Sequence, residues 1–150
     1  MLYPTLLFIH IAAVLVFVGV HGVSAWVSLQ VRDAREREEL APLLNLSQST
    51  YPWMFSSLGL ILLSGIALGI AGGWWRHAWF WASLVVFIAL GAGMGAVGNR
   101  YRALRSVMAT AGGSSVEVAA AAARTRVKLV AAIGAAGLAV LLWLMIFKPF

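Results

Sequence analysis

Residues 6–29 read LLFIHIAAVLVFVGVHGVSAWVSL, and this run decides the fold because it contains no charged side chain. A helix of about 20 apolar residues crosses the hydrocarbon core of a bilayer, so the run predicts a transmembrane helix. The whole composition agrees with a membrane protein: 62% of the 150 residues are hydrophobic, 11% are charged, and the mean hydropathy is +0.92. A soluble domain with a polar surface does not have this composition.

Two histidines lie on one face of this first helix. His10 and His21 are separated by about 1100° of turn at about 100° per residue, so they project within about 20° of each other, about 16 Å apart along the axis. Ser24 and Ser28 fall near the same face. Because ionisable side chains are costly at membrane depth, an intramembrane histidine is a candidate functional residue. The alternative is a structural histidine that only forms an interhelical hydrogen bond.

Three further apolar runs predict that residues 1–150 form one all-α integral membrane domain. Its expected architecture is an up-down bundle of four transmembrane helices with both termini outside. Pro42 and Pro52 are expected to interrupt the helix before the second span. Ser114 and Glu117 fit a capping box that starts the long fourth helix. The four predicted spans are residues 6–29, 53–71, 78–97 and 129–147.

The connections between spans carry charge, glycine and tryptophan signals. The charged segment after the first span predicts a solvated helix end with i,i+4 ion pairs. Glycines four residues apart predict close contacts between helices. Tryptophans near the second turn are typical of a membrane interface. The predicted ion pairs are Arg32 with Glu36 and Arg35 with Glu39. The glycine pairs are Gly65 with Gly69 and Gly91 with Gly95. The tryptophans are Trp74, Trp75, Trp79 and Trp81.

The basic residues predict the orientation of the bundle. Nine of the eleven lie in the first and third connections, and Arg76 and Lys148 are the other two. An excess of Lys and Arg marks cytoplasmic connections, so both termini are expected outside. The net charge of +6 is therefore explained by basic residues that set the orientation of the helices in the membrane. No nucleic-acid partner is predicted.

The chemistry available in the sequence favours ligand binding over acid–base catalysis. All five acidic residues fall in the predicted cytoplasmic segments, so we predict no catalytic residue of this chain's own. Neutral imidazole binds haem iron, copper or zinc. His10 and His77 are predicted near the same outer leaflet, with His21 as a secondary candidate. Met145 offers a thioether for copper, although a methionine that only fills the core is the alternative.

Three short motifs give the chain a family resemblance. They are HIAAV at 10–14, a GGW turn at 72–74 that leads to His77, and KPF at 148–150. In this order they resemble the small four-helix bacterial membrane proteins of the HemJ and CopD group. HemJ-type proteins are protoporphyrinogen oxidases that bind b-type haem, and CopD-type domains are associated with copper uptake. The resemblance implies a bacterial inner-membrane location, a b-type haem, and His10 as its ligand. The lysine that follows the helix-three histidine in HemJ is replaced by Ala78, so the oxidase activity is left undecided.

Three functions are therefore open at this point. The first is a haem-binding redox or accessory protein with His10 as the ligand. The second is transport of copper or a small solute through a site formed by His10, His77 and Met145. The third is an accessory subunit without a ligand, which packs in a homo-oligomer or a larger membrane complex. In each case the bilayer itself is a partner.

The topology prediction is tested by labelling, because the chain has no cysteine of its own. A cysteine that replaces Arg76 should react in intact cells with a thiol reagent that cannot cross the membrane, whereas one that replaces Arg102 should react only after lysis. The reverse pattern would show that the termini are inside.

Overall fold

The computed structural model describes residues 1–33, 37–110, 117 and 127–149. These residues form four α-helices and one 3-10 turn, and no strand occurs among them. The predicted all-α bundle is therefore confirmed. The helices are α1 (Leu2–Asp33), α2 (Arg37–Ala71), α3 (Ala78–Thr110) and α4 (Val127–Phe147), with the turn at Trp74–Arg76 between α2 and α3.

The first three helices are longer than a bilayer requires. They contain 32, 35 and 33 residues, which at about 1.5 Å per residue gives about 50 Å each, against a hydrocarbon core of about 30 Å. Leu2–Asp33, Glu38–Ala71 and Ala78–Ala109 are long and apolar enough to cross a membrane, and the apolar part of α4, Ala131–Phe147, is shorter. The excess length of α1, α2 and α3 runs beyond the predicted spans.

The extra length packs into a core at one end of the bundle, which we call the basic end because Arg32, Arg100, Arg102 and Arg105 lie there. Within this core the buried residues repeat every three or four positions on α1, α2 and α3, so one face of each of these three helices turns inward there. On α1 and α2 the side chains of Val27, Val31, Leu40 and Leu44 are at most 2% exposed. This basic-end core consists of Val27, Val31, Leu40, Leu44, Tyr101, Leu104 and Met108.

The prediction that prolines interrupt the second helix is wrong, because α2 runs through both Pro42 and Pro52. A proline inside a helix costs about 3 kcal/mol or more. Leu40 and Leu44 on either side of Pro42 are almost fully buried, and burial of such side chains stabilises a fold by about 1.5 to 3 kcal/mol each. The packing of the α1–α2 hairpin thus offsets the lost backbone hydrogen bond.

The predicted ion pairs and capping box are only partly within the described residues. Arg32 forms an ion pair with the adjacent Asp33 at 2.7 Å. Arg35, Glu36 and Ser114 lie outside the described residues. Glu117 is exposed and helical.

The four helices form two hairpins. α1 packs chiefly along α2 and α3 chiefly along α4, whereas the two hairpins touch each other less. Tyr3 and Lys148 both contact Trp74, so the two chain termini lie at the end opposite the basic end. We call this the tryptophan end, and it is defined by Trp74, Trp75, Trp79 and Trp81.

Two of the four predicted contact glycines lie at helix contacts. A Cβ on Gly65 would lie 3.3 Å from Cε1 of His10, and one on Gly69 would lie 2.6 Å from the Phe80 ring. The prediction for Gly91 and Gly95 is wrong, because a Cβ on either would meet no atom within 4 Å. Both face away from the neighbouring helices. The close approach of α3 and α4 occurs instead at Gly137, where a Cβ would overlap the side chain of Leu90.

These contacts make Gly69→Leu and Gly91→Leu a matched pair. Gly69→Leu should lower the stability of the purified protein by overpacking, which costs about 1 to 3 kcal/mol, because the new side chain meets the Phe80 ring. Gly91→Leu should leave the thermal unfolding midpoint unchanged, because it faces open space. Equal midpoints for the two variants would contradict this helix packing.

Candidate functional site

Two cavities lie where the two hairpins meet, and each is lined by residues from all four helices. The tryptophan-end cavity has a volume of about 300 Å³ and the basic-end cavity about 360 Å³. Along α1, buried apolar side chains separate the lining residues of the two cavities, and they belong to a larger apolar layer. This layer includes Ala13, Phe17, Met54 and Ile61, with Leu138 packed against it.

His10 lines the tryptophan-end cavity and is only 8% exposed. Its Nδ1 lies 2.9 Å from Oγ of Ser64. The Ser64 hydroxyl donates its own proton to the carbonyl oxygen of Leu60 at 2.5 Å. A hydroxyl has one proton to donate, so Ser64 accepts from His10, and we assign the proton of the neutral imidazole to Nδ1. Nε2 is then the nitrogen with the free lone pair.

The sequence of α2 allows the imidazole to approach this closely. Gly65 follows Ser64 and presents no side chain, and a Cβ there would lie 3.3 Å from Cε1 of His10. A hydrogen bond to one nitrogen and a fixed ring orientation are typical of histidines that bind a metal through the other nitrogen. His10 is therefore held by α2 in an orientation suited to ligation.

The outer wall of this cavity is aromatic and carries one cation. Nζ of Lys148 lies 4.5 Å from the centroid of the Trp74 ring and 5.5 Å from that of Trp79. Lys148 has a φ of 45°, a left-handed conformation that costs a non-glycine residue about 1 to 2 kcal/mol. Cation–π contacts of about 0.5 to 2 kcal/mol each offset this cost. Trp79 is buried, whereas Trp75 and Trp81 are exposed as interfacial tryptophans are expected to be.

The predicted ligand residues are only partly brought together. Met145 lines the same cavity as His10, and His77 does not. His77 is exposed, and its backbone N–H donates to the carbonyl oxygen of Trp74 at 3.0 Å. Its ring stacks on Trp79 with 6.5 Å between the centroids. His10 and Met145 thus line one cavity, and His77 lies at the turn outside it.

His21 lines the basic-end cavity together with Ser24 and Ser28, so the polar face predicted for α1 opens on one space. Its ring stacks on Phe17 with a centroid separation of 5.7 Å and an angle of 16°. On the other side, Nε2 would lie 3.5 Å from a Cβ at Gly134. His21 is half-buried, and its imidazole forms no hydrogen bond to another described residue.

Sequence reasoning missed two residues of the basic-end cavity, Arg100 and Tyr101. Both belong to the segment RYRALR, which was interpreted only as a topology signal. Tyr101 is 4% exposed, and its hydroxyl has no hydrogen-bond partner in the described part of the chain. Tyr51, in contrast, donates to the carbonyl oxygen of Gly98 at 3.1 Å. A tyrosine among arginines beside an apolar span was the signal available in the sequence.

Among the described residues, neither cavity has an aspartate or a glutamate in its lining. Within the described ranges, no group of three or more His, Asp or Glu side chains comes together. Both cavities therefore offer binding groups and no carboxylate for acid–base chemistry.

Comparisons with known proteins identify a family for nearly the whole chain. Residues 4–149 match the family model described as "Predicted integral membrane protein (DUF2269)". No curated protein and no solved structure matches the chain. The family match supports a membrane protein and gives no support to the HemJ and CopD resemblance, which stays a prediction. With a matching family model over this range and apolar helices long enough to cross a bilayer, the chain belongs to the DUF2269 family of integral membrane proteins.

Proposed function

We propose that this membrane protein binds a metal-containing ligand in the tryptophan-end cavity through Nε2 of His10, and that the ligand is a b-type haem. The observation that carries the proposal is the hydrogen bond of 2.9 Å between His10 and Ser64. A histidine used only to join two helices needs no cavity on its other side, whereas His10 lines one of about 300 Å³.

The residues present fit a haem in their chemistry. Nε2 of His10 provides an axial nitrogen, and Ser64 fixes its tautomer. Ile61, Phe80 and Phe87 give apolar walls that exclude water. Lys148, at the outer edge of the same cavity, provides a cation for a propionate carboxylate. A bound haem would supply one-electron redox chemistry.

Copper is the second candidate, and Met145 is the observation that favours it. An imidazole and a thioether in one cavity form a soft donor pair suited to Cu(I). The two candidates share His10 and differ in Met145.

The three histidines provide a test with internal controls. His10→Ala should abolish the Soret band of haem-reconstituted protein, or its copper content by metal analysis, because the ligand nitrogen is lost. His77→Ala and His21→Ala should keep the signal, since neither residue lines the tryptophan-end cavity. Met145→Leu should remove copper binding and leave a haem spectrum.

A signal that survives His10→Ala and disappears in His21→Ala would move the site to the basic-end cavity. If protein incubated with haem or with copper binds neither, both ligand proposals fail, and the accessory subunit without a ligand is what stays.

Ser64 offers a second, independent test. Ser64→Ala should weaken binding by about 10- to 100-fold, as changes in the residues that orient metal-binding histidines commonly do. Ser57→Ala is the matched control, because Ser57 is also buried on α2 and donates to a carbonyl of its own helix, that of Met54, at 2.9 Å. Equal affinities for the two variants, measured by titration of the reconstituted protein, would argue against the proposed role of Ser64.

A further inference from the structure

We propose that the basic-end cavity is a second binding site, which takes a single-chain amphiphile with a carboxylate head from the bilayer. Tyr101 and Arg100 bind the head, and the apolar part of the cavity holds the chain. This site shares no lining residue with the tryptophan-end cavity and does not depend on the function proposed above.

The first argument is the unpartnered hydroxyl of Tyr101. A buried hydroxyl without a hydrogen bond costs about 1 to 3 kcal/mol, so native proteins nearly always provide a partner. Ser28, which lines the same cavity, donates its own proton to the carbonyl oxygen of Ser24 at 2.8 Å and forms no hydrogen bond with Tyr101 at ordinary geometry. A ligand oxygen that accepts the Tyr101 proton removes this cost.

The second argument is the sign of the charge. Arg100 lines the cavity, and no acidic side chain of the described ranges does so. His21 adds a further nitrogen that forms no hydrogen bond to another described residue. A head that only accepts hydrogen bonds and carries negative charge matches these groups, and a carboxylate has both properties.

The third argument is position. Arg100 lies 22 residues after Ala78, about 33 Å along α3, which is the thickness of a hydrocarbon core of about 30 Å. Arg100 therefore stands at the level of the head groups when Ala78 stands at the opposite surface. When a carboxylate binds Arg100, the hydrocarbon chain attached to it therefore lies within the core of the bilayer.

The fourth argument is the entrance. Ala89, Gly93 and Ala96 line the cavity, are exposed, and lie on one face of α3 at spacings of four and three residues. An opening with only small apolar side chains at membrane depth connects the cavity to lipid. Leu90, Met94 and Met54 line its interior and provide an apolar surface for a chain. The volume of about 360 Å³ is at the lower end for ligand pockets, which suits one chain better than a two-chain phospholipid.

The test uses the full chain in phosphatidylcholine nanodiscs with a photoreactive long-chain fatty acid. Cross-links should concentrate on the α3 segment that contains Leu90 and Met94. Unlabelled myristate should compete, whereas its neutral methyl ester should compete at least tenfold less well. If phosphatidylglycerol competes as well as myristate does, the proposal that the site selects a carboxylate head is overturned. Labelling spread evenly over all lipid-facing helix surfaces would overturn the site.

Two variants with matched controls test the head group. Tyr101→Phe and Arg100→Gln should each lower the apparent affinity for myristate about tenfold. Tyr3→Phe removes a hydroxyl from the other cavity, and Arg102→Gln removes an exposed charge outside both cavities, so neither should change it. Because Tyr101→Phe keeps the buried ring, thermal unfolding should show that the variant is folded. Unchanged affinity in both test variants would overturn the proposal.

Discussion

The fold depends on the requirement that every backbone polar group be hydrogen-bonded inside the hydrocarbon, which leaves helices as the spanning elements here. Lipid chains are as apolar as leucine, so helices in lipid associate through close packing and interhelical hydrogen bonds. The chain meets this condition at a few places where a glycine on one helix faces a side chain on another. Gly65 faces His10, Gly69 faces Phe80, and Gly137 faces Leu90. A Cβ at Gly69 or Gly137 would overlap the facing side chain, whereas a Cβ at Gly65 would only press on His10, at 3.3 Å.

The basic-end core works by a different force. Val27, Val31, Leu40, Leu44 and Leu104 are the largest fully buried side chains in the described part of the protein, and all belong to this core. Most of them lie beyond the predicted spans, where burial from water provides the stabilisation. The core explains why α1, α2 and α3 continue as helices beyond the bilayer and through Pro42. It holds the two hairpins together where lipid does not surround them.

Between these contacts the hairpins meet loosely, and the space is divided into two cavities with different chemistry. One has a buried imidazole oriented by Ser64, aromatic walls and a lysine at its edge. The other has an unpartnered tyrosine hydroxyl and an arginine beside an apolar interior. A layer that includes Phe17 and Ile61 falls between them. The same architecture therefore serves one site suited to metal ligation and another suited to an acidic lipid-soluble molecule.

The sequence by itself determined that the apolar segments lie in a bilayer, that the fold is all-α, and that it has four helices. It also determined that two histidines and two serines share one face of α1. These follow from local hydropathy and from helix periodicity, which need no partner segment. It also predicted His10, His77 and Met145 near the same surface, as the residues of one candidate site. Only the tertiary structure decided the helix ends, since burial of Leu40 and Leu44 outweighs the cost of Pro42. It likewise decided that Gly69 and not Gly91 is a contact, that His77 lies outside the cavity, and that the Tyr101 hydroxyl has no hydrogen-bond partner among the described residues. Each of these depends on which side chain of a distant helix stands opposite, and a single helix pattern contains no information about its neighbour.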